Sequence, residues 1–175
     1  SDFDSIINEN DIVGIYGDNG SGKTTLLDLI AKKITPSFGK ISYEPQNMSV
    51  SYFEQISEEE IIEMNKSHLS SGEKVKQQLE DVIKSNANIY IFDEPTNHLD
   101  VDSIKIFAEK IKKLNGIKII ASHNKDFLKM CSNKIWNIED GKISIYKGNF
   151  DHFLSQKAEI TFKTEDYYNK IIRKV

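Results

Sequence analysis

The 175 residues hold a single cysteine, Cys131, so no disulfide can form within the chain. That usage fits a reducing compartment. No apolar run approaches the roughly 20 residues that cross a bilayer; a membrane role would need another chain. Positive charge is not in excess. Lys and Arg number 23 against 27 Asp and Glu, for a net charge of −4. This excludes a uniformly basic nucleic-acid-binding surface and leaves room only for a local patch. The opening SDFDSIINEN is acidic and polar, unlike a signal peptide. It has no initiator Met, so a processed chain or a fragment is expected. Internal repeats and low-complexity segments are lacking. His68, His98 and His152 show no metal-ligand spacing. What is present is 38% hydrophobic and 29% charged residues, the balance of a globular domain with a real core. The length suits one domain, alone or with a tail.

Apolar runs and punctuating residues alternate along the chain. Ile12 to Tyr16 reads as a buried strand that stops at Gly17, and Lys23 to Lys33 as a helix. Pro36 and Gly39 mark a turn. Lys40 to Tyr43 and Ser49 to Phe53 read as short strands, and Glu58 to Asn65 as a short helix. Gly72 to Lys84 places Val75, Leu79, Val82 and Ile83 on one helical face. Ile89 to Phe92 suits a strand buried on both faces. Val101 to Leu114 is helical in period, Ile117 to Ala121 a strand, and Asn124 to Met130 a short helix. Ile135 to Ile138 and Lys142 to Tyr146 flank Asp140-Gly141 as a hairpin. The tail from Phe150 to Val175 has neither Gly nor Pro and is expected to be helical. Strand and helix in alternation predict an α/β fold with a largely parallel sheet.

Two motifs carry chemistry by themselves. Gly17-Asp18-Asn19-Gly20-Ser21-Gly22-Lys23-Thr24 fits G-x-x-x-x-G-K-[ST], between a buried strand and a helix. Its glycines let backbone N–H groups turn inward around phosphates, and the helix N-terminus adds positive dipole. Lys23 can reach the β- and γ-phosphates of a bound nucleotide, and the Thr24 hydroxyl can ligate Mg²⁺. Gly17 to Thr25 is thus the expected ATP-binding segment. The second motif is Asn88 to Glu94, a buried strand ending in two carboxylates. They fall at the carboxyl edge of the sheet, where open α/β folds bind ligands. Asp93 is expected to hold Mg²⁺ and Glu94 to act as general base toward an attacking water, since adjacent carboxylates need different roles. His123 follows the strand Ile117 to Ala121 and so reaches the same edge.

With these residues in view, the chain resembles the ATP-binding cassette (ABC) ATPases, a P-loop NTPase family. Asp93-Glu94-Pro95-Thr96-Asn97-His98-Leu99-Asp100 is similar to their Walker B motif and D-loop, in the form of the ABC-F subfamily. Members of that subfamily act on ribosomes and lack transmembrane domains. Leu69-Ser70-Ser71-Gly72-Glu73 resembles the ABC signature, and Lys74-Val75-Lys76 continues it in the ABC-F manner. Ala121-Ser122-His123 resembles the H-loop and Tyr52-Phe53-Glu54-Gln55 the Q-loop, with Gln46 as a rival for Gln55. Tyr146 to Phe150 resembles the segment that leads from the core into the interdomain linker. The resemblance implies ATP and Mg²⁺ as cofactors, with Thr24, Gln55 and Asp93 on the metal. It implies Glu94, His123 and Gln55 as catalytic residues. Ser70, Ser71, Gly72, Glu73 and the D-loop Asp100 would serve the nucleotide of a second cassette. It further implies a cytoplasmic protein that hydrolyses ATP and binds the ribosome and its RNA, without direct membrane insertion. Translation factor and ribosome-protecting antibiotic resistance are the two roles expected. Residues 1–149 would form the ATPase core and 150–175 a helical extension toward the linker.

The sequence also departs from the family. Residues 1–16 leave little room for the strands, and the adenine-stacking aromatic, that ABC domains place before the P-loop. Truncated N-terminal strands are therefore expected, with Phe3 too close to stack on the base. Residues 56–68 span only about 20 Å as one helix, so a much reduced helical subdomain is expected. Ser71 stands where the signature usually has glycine, and Asn124 where an Asp often follows the H-loop histidine. The first alternative is the ATP-binding subunit of an ABC transporter. Transporter ATPases more often carry a Ser-Ala-Leu-Asp D-loop, and Asn97-His98 argues against them. A non-hydrolysing, ATP-gated binding module is the second, opposed by intact Lys23, Asp93, Glu94 and His123.

Overall fold

The strands bury alternate residues on opposite faces, and two separate hydrophobic layers result. The computed structural model describes residues 3–57, 59, 60, 62 and 71–172, with only the backbone described for Ser71 and 165–172. Six strands form one sheet: β1 (Ile12–Gly17), β2 (Val50–Phe53), β3 (Ile89–Asp93), β4 (Ile117–Ala121), β5 (Lys134–Glu139) and β6 (Lys142–Lys147). Their order across the sheet is β2-β3-β4-β1-β5-β6. All neighbours are parallel except β5 and β6, which form the expected antiparallel hairpin through Asp140 and Gly141. Among the described residues five helices accompany it: α1 (Lys23–Ile30), α2 (Ser71–Lys84), α3 (Val101–Lys112), α4 (Lys125–Cys131) and α5 (Phe150–Ile172).

Val13 and Ile15 of β1, Ile89 and Ile91 of β3, and Ile117 and Ile119 of β4 pack with Leu27 and Ile30 of α1 on one face. The intervening Ile12, Tyr90, Phe92 and Ile120 pack on the other face with α2, α3, α4 and the start of α5. This period-2 split across a doubly covered sheet explains why the central strands read as unbroken apolar runs. Phe107 of α3 anchors the second layer, edge-on to Phe92 at 5.3 Å between centroids and stacked on Phe127 at 5.7 Å. Phe150 and Phe153 bury the first turn of α5 against Tyr16 and Tyr146, while residues 158–164 are exposed. Phe3 packs edge-on to Trp136 at 4.9 Å between centroids.

The expected strand Lys40 to Tyr43 is not formed: its residues pair with no strand. Tyr43 instead donates its hydroxyl to the Ile30 carbonyl and lies under the Lys32 ammonium, so side-chain contacts rather than a ladder hold this segment. α1 also stops before Lys33, because Lys32 takes a left-handed φ of 58° and turns the chain. The expected helix Glu58 to Asn65 lies largely outside the described residues.

Candidate functional site

The loop after β1 wraps back on itself. Gly20 and Gly22 adopt φ of 76° and 98°, a conformation that other residues enter only with strain. Gly22 is the N-cap of α1, so the backbone amides at this helix start face the cleft. Gly17 is required for a different reason: a Cβ there would lie 2.7 Å from both the Ser21 hydroxyl and the Ile138 carbonyl. Lys23 is buried, and its ammonium donates to the Gly17 and Asp18 carbonyls at 2.9 and 3.1 Å.

Across the cleft, β3 delivers Asp93 and Glu94. The Thr24 hydroxyl donates to Asp93 Oδ2 at 2.6 Å, bridging the start of α1 to the end of β3. Burial pushes the Asp93 carboxyl above the ordinary carboxylate range; the Thr24 hydrogen bond opposes this and the Glu94 charge adds to it. Glu94 has a positive φ of 46°, and its backbone N–H donates to the Ala121 carbonyl at the end of β4. Its carboxylate lies between Lys23 Nζ at 3.5 Å and His123 Nδ1 at 2.8 Å, with the His123 backbone N–H at 3.2 Å.

A cleft of about 360 Å³ opens over these groups. Asn19, Gly20, Gly22, Lys23, Thr24, Thr25, Gln55, Asp93, Glu94 and His123 line it, all singled out from sequence. Asn97 lines it as well. The sequence names it as part of the D-loop motif and assigns it no place in the cleft. Gly17, Asp18 and Ser21 shape the loop from behind. Gln46, the rival to Gln55, is not among the lining residues.

The residues fit a magnesium nucleotide. Asp93 Oδ1 and Glu94 Oε1, on two residues that line the cleft, are buried without a hydrogen-bond partner. Mg²⁺ binds through one or two carboxylates plus phosphate oxygens and waters rather than in an all-protein cage. Among the described residues no group of three or more His, Cys, Asp or Glu forms such a cage.

Of the signature residues, Gly72 and Glu73 are not among those that line this cleft. Leu69 and Ser70 lie outside the described residues, and Ser71 and Gly72 open α2. A Cβ on Gly72 would come 3.3 Å from the His98 carbonyl, so the start of α2 packs against the D-loop. Asp100 caps α3 through the Ser103 N–H at 2.8 Å and pairs with Lys76 of α2 at 3.3 Å. Glu73 is exposed on the same helix.

The family model described as ABC transporter matches residues 1–61. The chain is 32% identical over 180 residues to the ribosome protection protein VmlR of Bacillus subtilis (strain 168), covering 94% of this chain and 33% of that protein. It is 35% identical over 161 residues to the erythromycin resistance ATP-binding protein MsrA of Staphylococcus epidermidis, covering 82% and 32%. The chain thus spans about a third of the length of these relatives. A solved ATP-binding subunit of an ABC transporter superposes with a TM-score of 0.67 at 19% identity, over 88% of this chain and 85% of that one, a likeness of fold. No described helix is long and apolar enough to cross a membrane. With its P-loop, its paired carboxylates and these relatives, the chain is an ABC-type ATPase domain that closely matches members of the ABC-F subfamily.

Proposed function

We propose that the chain is one ATP-binding and ATP-hydrolysing cassette of a longer protein that acts on the ribosome. The observation that carries this reading is the cleft itself, in which a P-loop, a carboxylate pair and a histidine from three parallel strands face one another. In this reading the loop amides and Lys23 hold the phosphates, and Lys23 leaves the Gly17 and Asp18 carbonyls to do so. Thr24, Asp93 and Gln55 hold Mg²⁺, which when bound neutralises charge that develops on the transferring phosphoryl group. Glu94 takes the proton of the attacking water, oriented by His123 through the 2.8 Å contact. Ser70, Ser71, Gly72, Glu73 and Asp100 form the face offered to a second cassette, in the same polypeptide or in a dimer. The contacts of Gly72 with His98 and of Lys76 with Asp100 support that face as one unit.

The name of VmlR supports the ribosome as the full protein's target, in translation or in antibiotic resistance, and the name of MsrA supports the second of these roles. Residues 150–175 would begin the linker, and Lys170, Arg173 and Lys174 would contact RNA phosphates. The side chains of 165–172 and all of 173–175 lie outside the described residues. Replacing these three residues by Ala in the full-length protein is expected to weaken ribosome co-sedimentation and flatten its salt dependence. Unchanged co-sedimentation across salt removes the tail from the interface. For the cassette itself the test is kinetic. The isolated chain is expected to bind Mg·ATP but to hydrolyse it little, at a rate rising with the square of its concentration. Robust turnover linear in concentration would overturn the shared-site reading.

A further inference from the structure

A line of contacts joins the helix that bears Thr24 to the loop that carries Gln55. It begins where α1 ends. The Lys33 N–H donates to the Asp28 carbonyl at 2.9 Å and the Lys32 N–H to the Leu29 carbonyl at 3.1 Å, with Lys32 left-handed between them. This is the hydrogen-bond pattern of a Schellman end. It sets the Lys33 side chain against β2. There the ammonium sits 4.1 Å above the Tyr52 ring centroid and pairs with the Glu54 carboxylate. Tyr52 and Glu54 are two residues apart, as a strand places neighbours on one face. Gln55 follows at once and enters the cleft.

The other end of α1 carries Thr24, assigned above to the metal. Asp28 lies four residues after Thr24, on the same face of α1. Its negative charge acts on the Tyr52 phenol. Burial first, then the Asp93 and Asp28 charges, hold that phenol well above its ordinary range. Thr24 in turn bonds Asp93.

We propose that Lys33 is a positioning residue for Gln55. Anchored at the end of the P-loop helix, it grips Tyr52 and Glu54 and couples the place of Gln55 in the cleft to the helix that bears Thr24. The proposal rests on the cleft being a Mg·ATP site. Lys33 and Glu54 are 39% and 69% exposed, so the ion pair alone contributes little. The cation–π contact and the fixed helix end add to it. The expected effect is accordingly modest.

The test compares ATP affinity with and without Mg²⁺, by titration of a fluorescent ATP analogue into the full chain. Lys33→Met is expected to cut the Mg²⁺-dependent gain in affinity about fivefold. Affinity without Mg²⁺ and the thermal melting point should stay at wild-type values. Lys33→Arg should restore the gain, and Glu54→Gln, which loosens the same grip from the strand side, should reproduce the loss. Gln55→Ala should lose the gain too, and Lys33→Met should then add nothing to it. An unchanged gain in Lys33→Met or in Gln55→Ala, or losses that add fully in the double variant, overturn the positioning role. A wild-type chain that shows no gain from Mg²⁺ overturns the reading of the site, and the positioning role with it.

Discussion

His123 Nδ1 lies 2.8 Å from Glu94 Oε2, and the His123 backbone N–H reaches the same oxygen at 3.2 Å. The two residues follow adjacent parallel strands, and the Glu94 N–H is itself tied to the Ala121 carbonyl. One carboxylate oxygen is thereby held by a ring and an amide, while the other faces the Lys23 ammonium. Glu94→Gln keeps the shape and removes the proton acceptor. It is expected to bind ATP with near wild-type affinity and, in the full-length protein, to hydrolyse it at least about 10²-fold more slowly. Wild-type turnover by Glu94→Gln, measured as phosphate release, would remove Glu94 from the base role.

Lys23 holds its ammonium among the Gly17 and Asp18 carbonyls and the Glu94 carboxylate, at the mouth of the glycine loop. Lys23→Ala takes away a charge-assisted phosphate contact, worth about 1.5–3 kcal/mol of ATP binding. Calorimetric titration checks this, and equal affinity in the two proteins would contradict it.

Asp100 gives the chain a pH-dependent helix cap. The Ser103 N–H, then the Ser103 hydroxyl, and more weakly Lys76 hold its carboxyl down at about 2, against an ordinary 3.8. A carboxyl depressed by folding stabilises the fold above its ordinary pKa and loses that contribution as pH falls toward the lower value. Asp100→Ala is expected to lower the melting temperature at pH 7 by a few degrees. The gap between the two proteins should close as pH is taken from about 4 toward about 2. A gap that is constant over this range would mean that the carboxylate charge plays no part in the cap.

Phe107 is 4% exposed and joins α3 to β3 and α4 through Phe92 and Phe127. Phe107→Ala should destabilise the chain by about 3–5 kcal/mol, since the aromatic layer around it cannot collapse into the space left. Equilibrium urea unfolding measures this. A loss below about 1 kcal/mol would show that the layer repacks.

Much of the site was legible because its signals are local. The glycines at 17, 20 and 22, followed by Lys23 and Thr24, form a phosphate loop in any chain that places them between strand and helix. Asp93 and Glu94 at the end of an apolar run had to fall at a sheet edge. Other features depend on groups distant in sequence. Lys118 sits inside an apolar strand and is buried, since its ammonium can reach the Leu114 carbonyl at 3.1 Å. Lys40 to Tyr43 has a strand-like pattern, yet no neighbouring strand offers it a ladder and Tyr43 is held by Ile30 and Lys32 instead. The cleft position of Asn97 follows from the turn after Glu94, whose positive φ no residue pattern announced.

The sequence by itself determined most of the strands and helices, Lys40 to Tyr43 excepted, and which residues stand at the strand ends. Those outcomes follow from side-chain period, from glycine at left-handed positions and from caps such as Asn124 and Asp100. Only the tertiary structure decided which strand ends meet. Ile89 to Phe92 and Ile117 to Ile120 are alike as sequences, short and rich in isoleucine, and both are buried on both faces. Nothing local tells β1 to lie beside β4 rather than β3. That order is set by how α1 fills one face of the sheet while α2, α3 and α4 share the other. Parallel strands need crossover connections, and the crossovers must all pack. The 2.6 Å contact of Thr24 with Asp93 and the 2.8 Å contact of Glu94 with His123 are products of that packing.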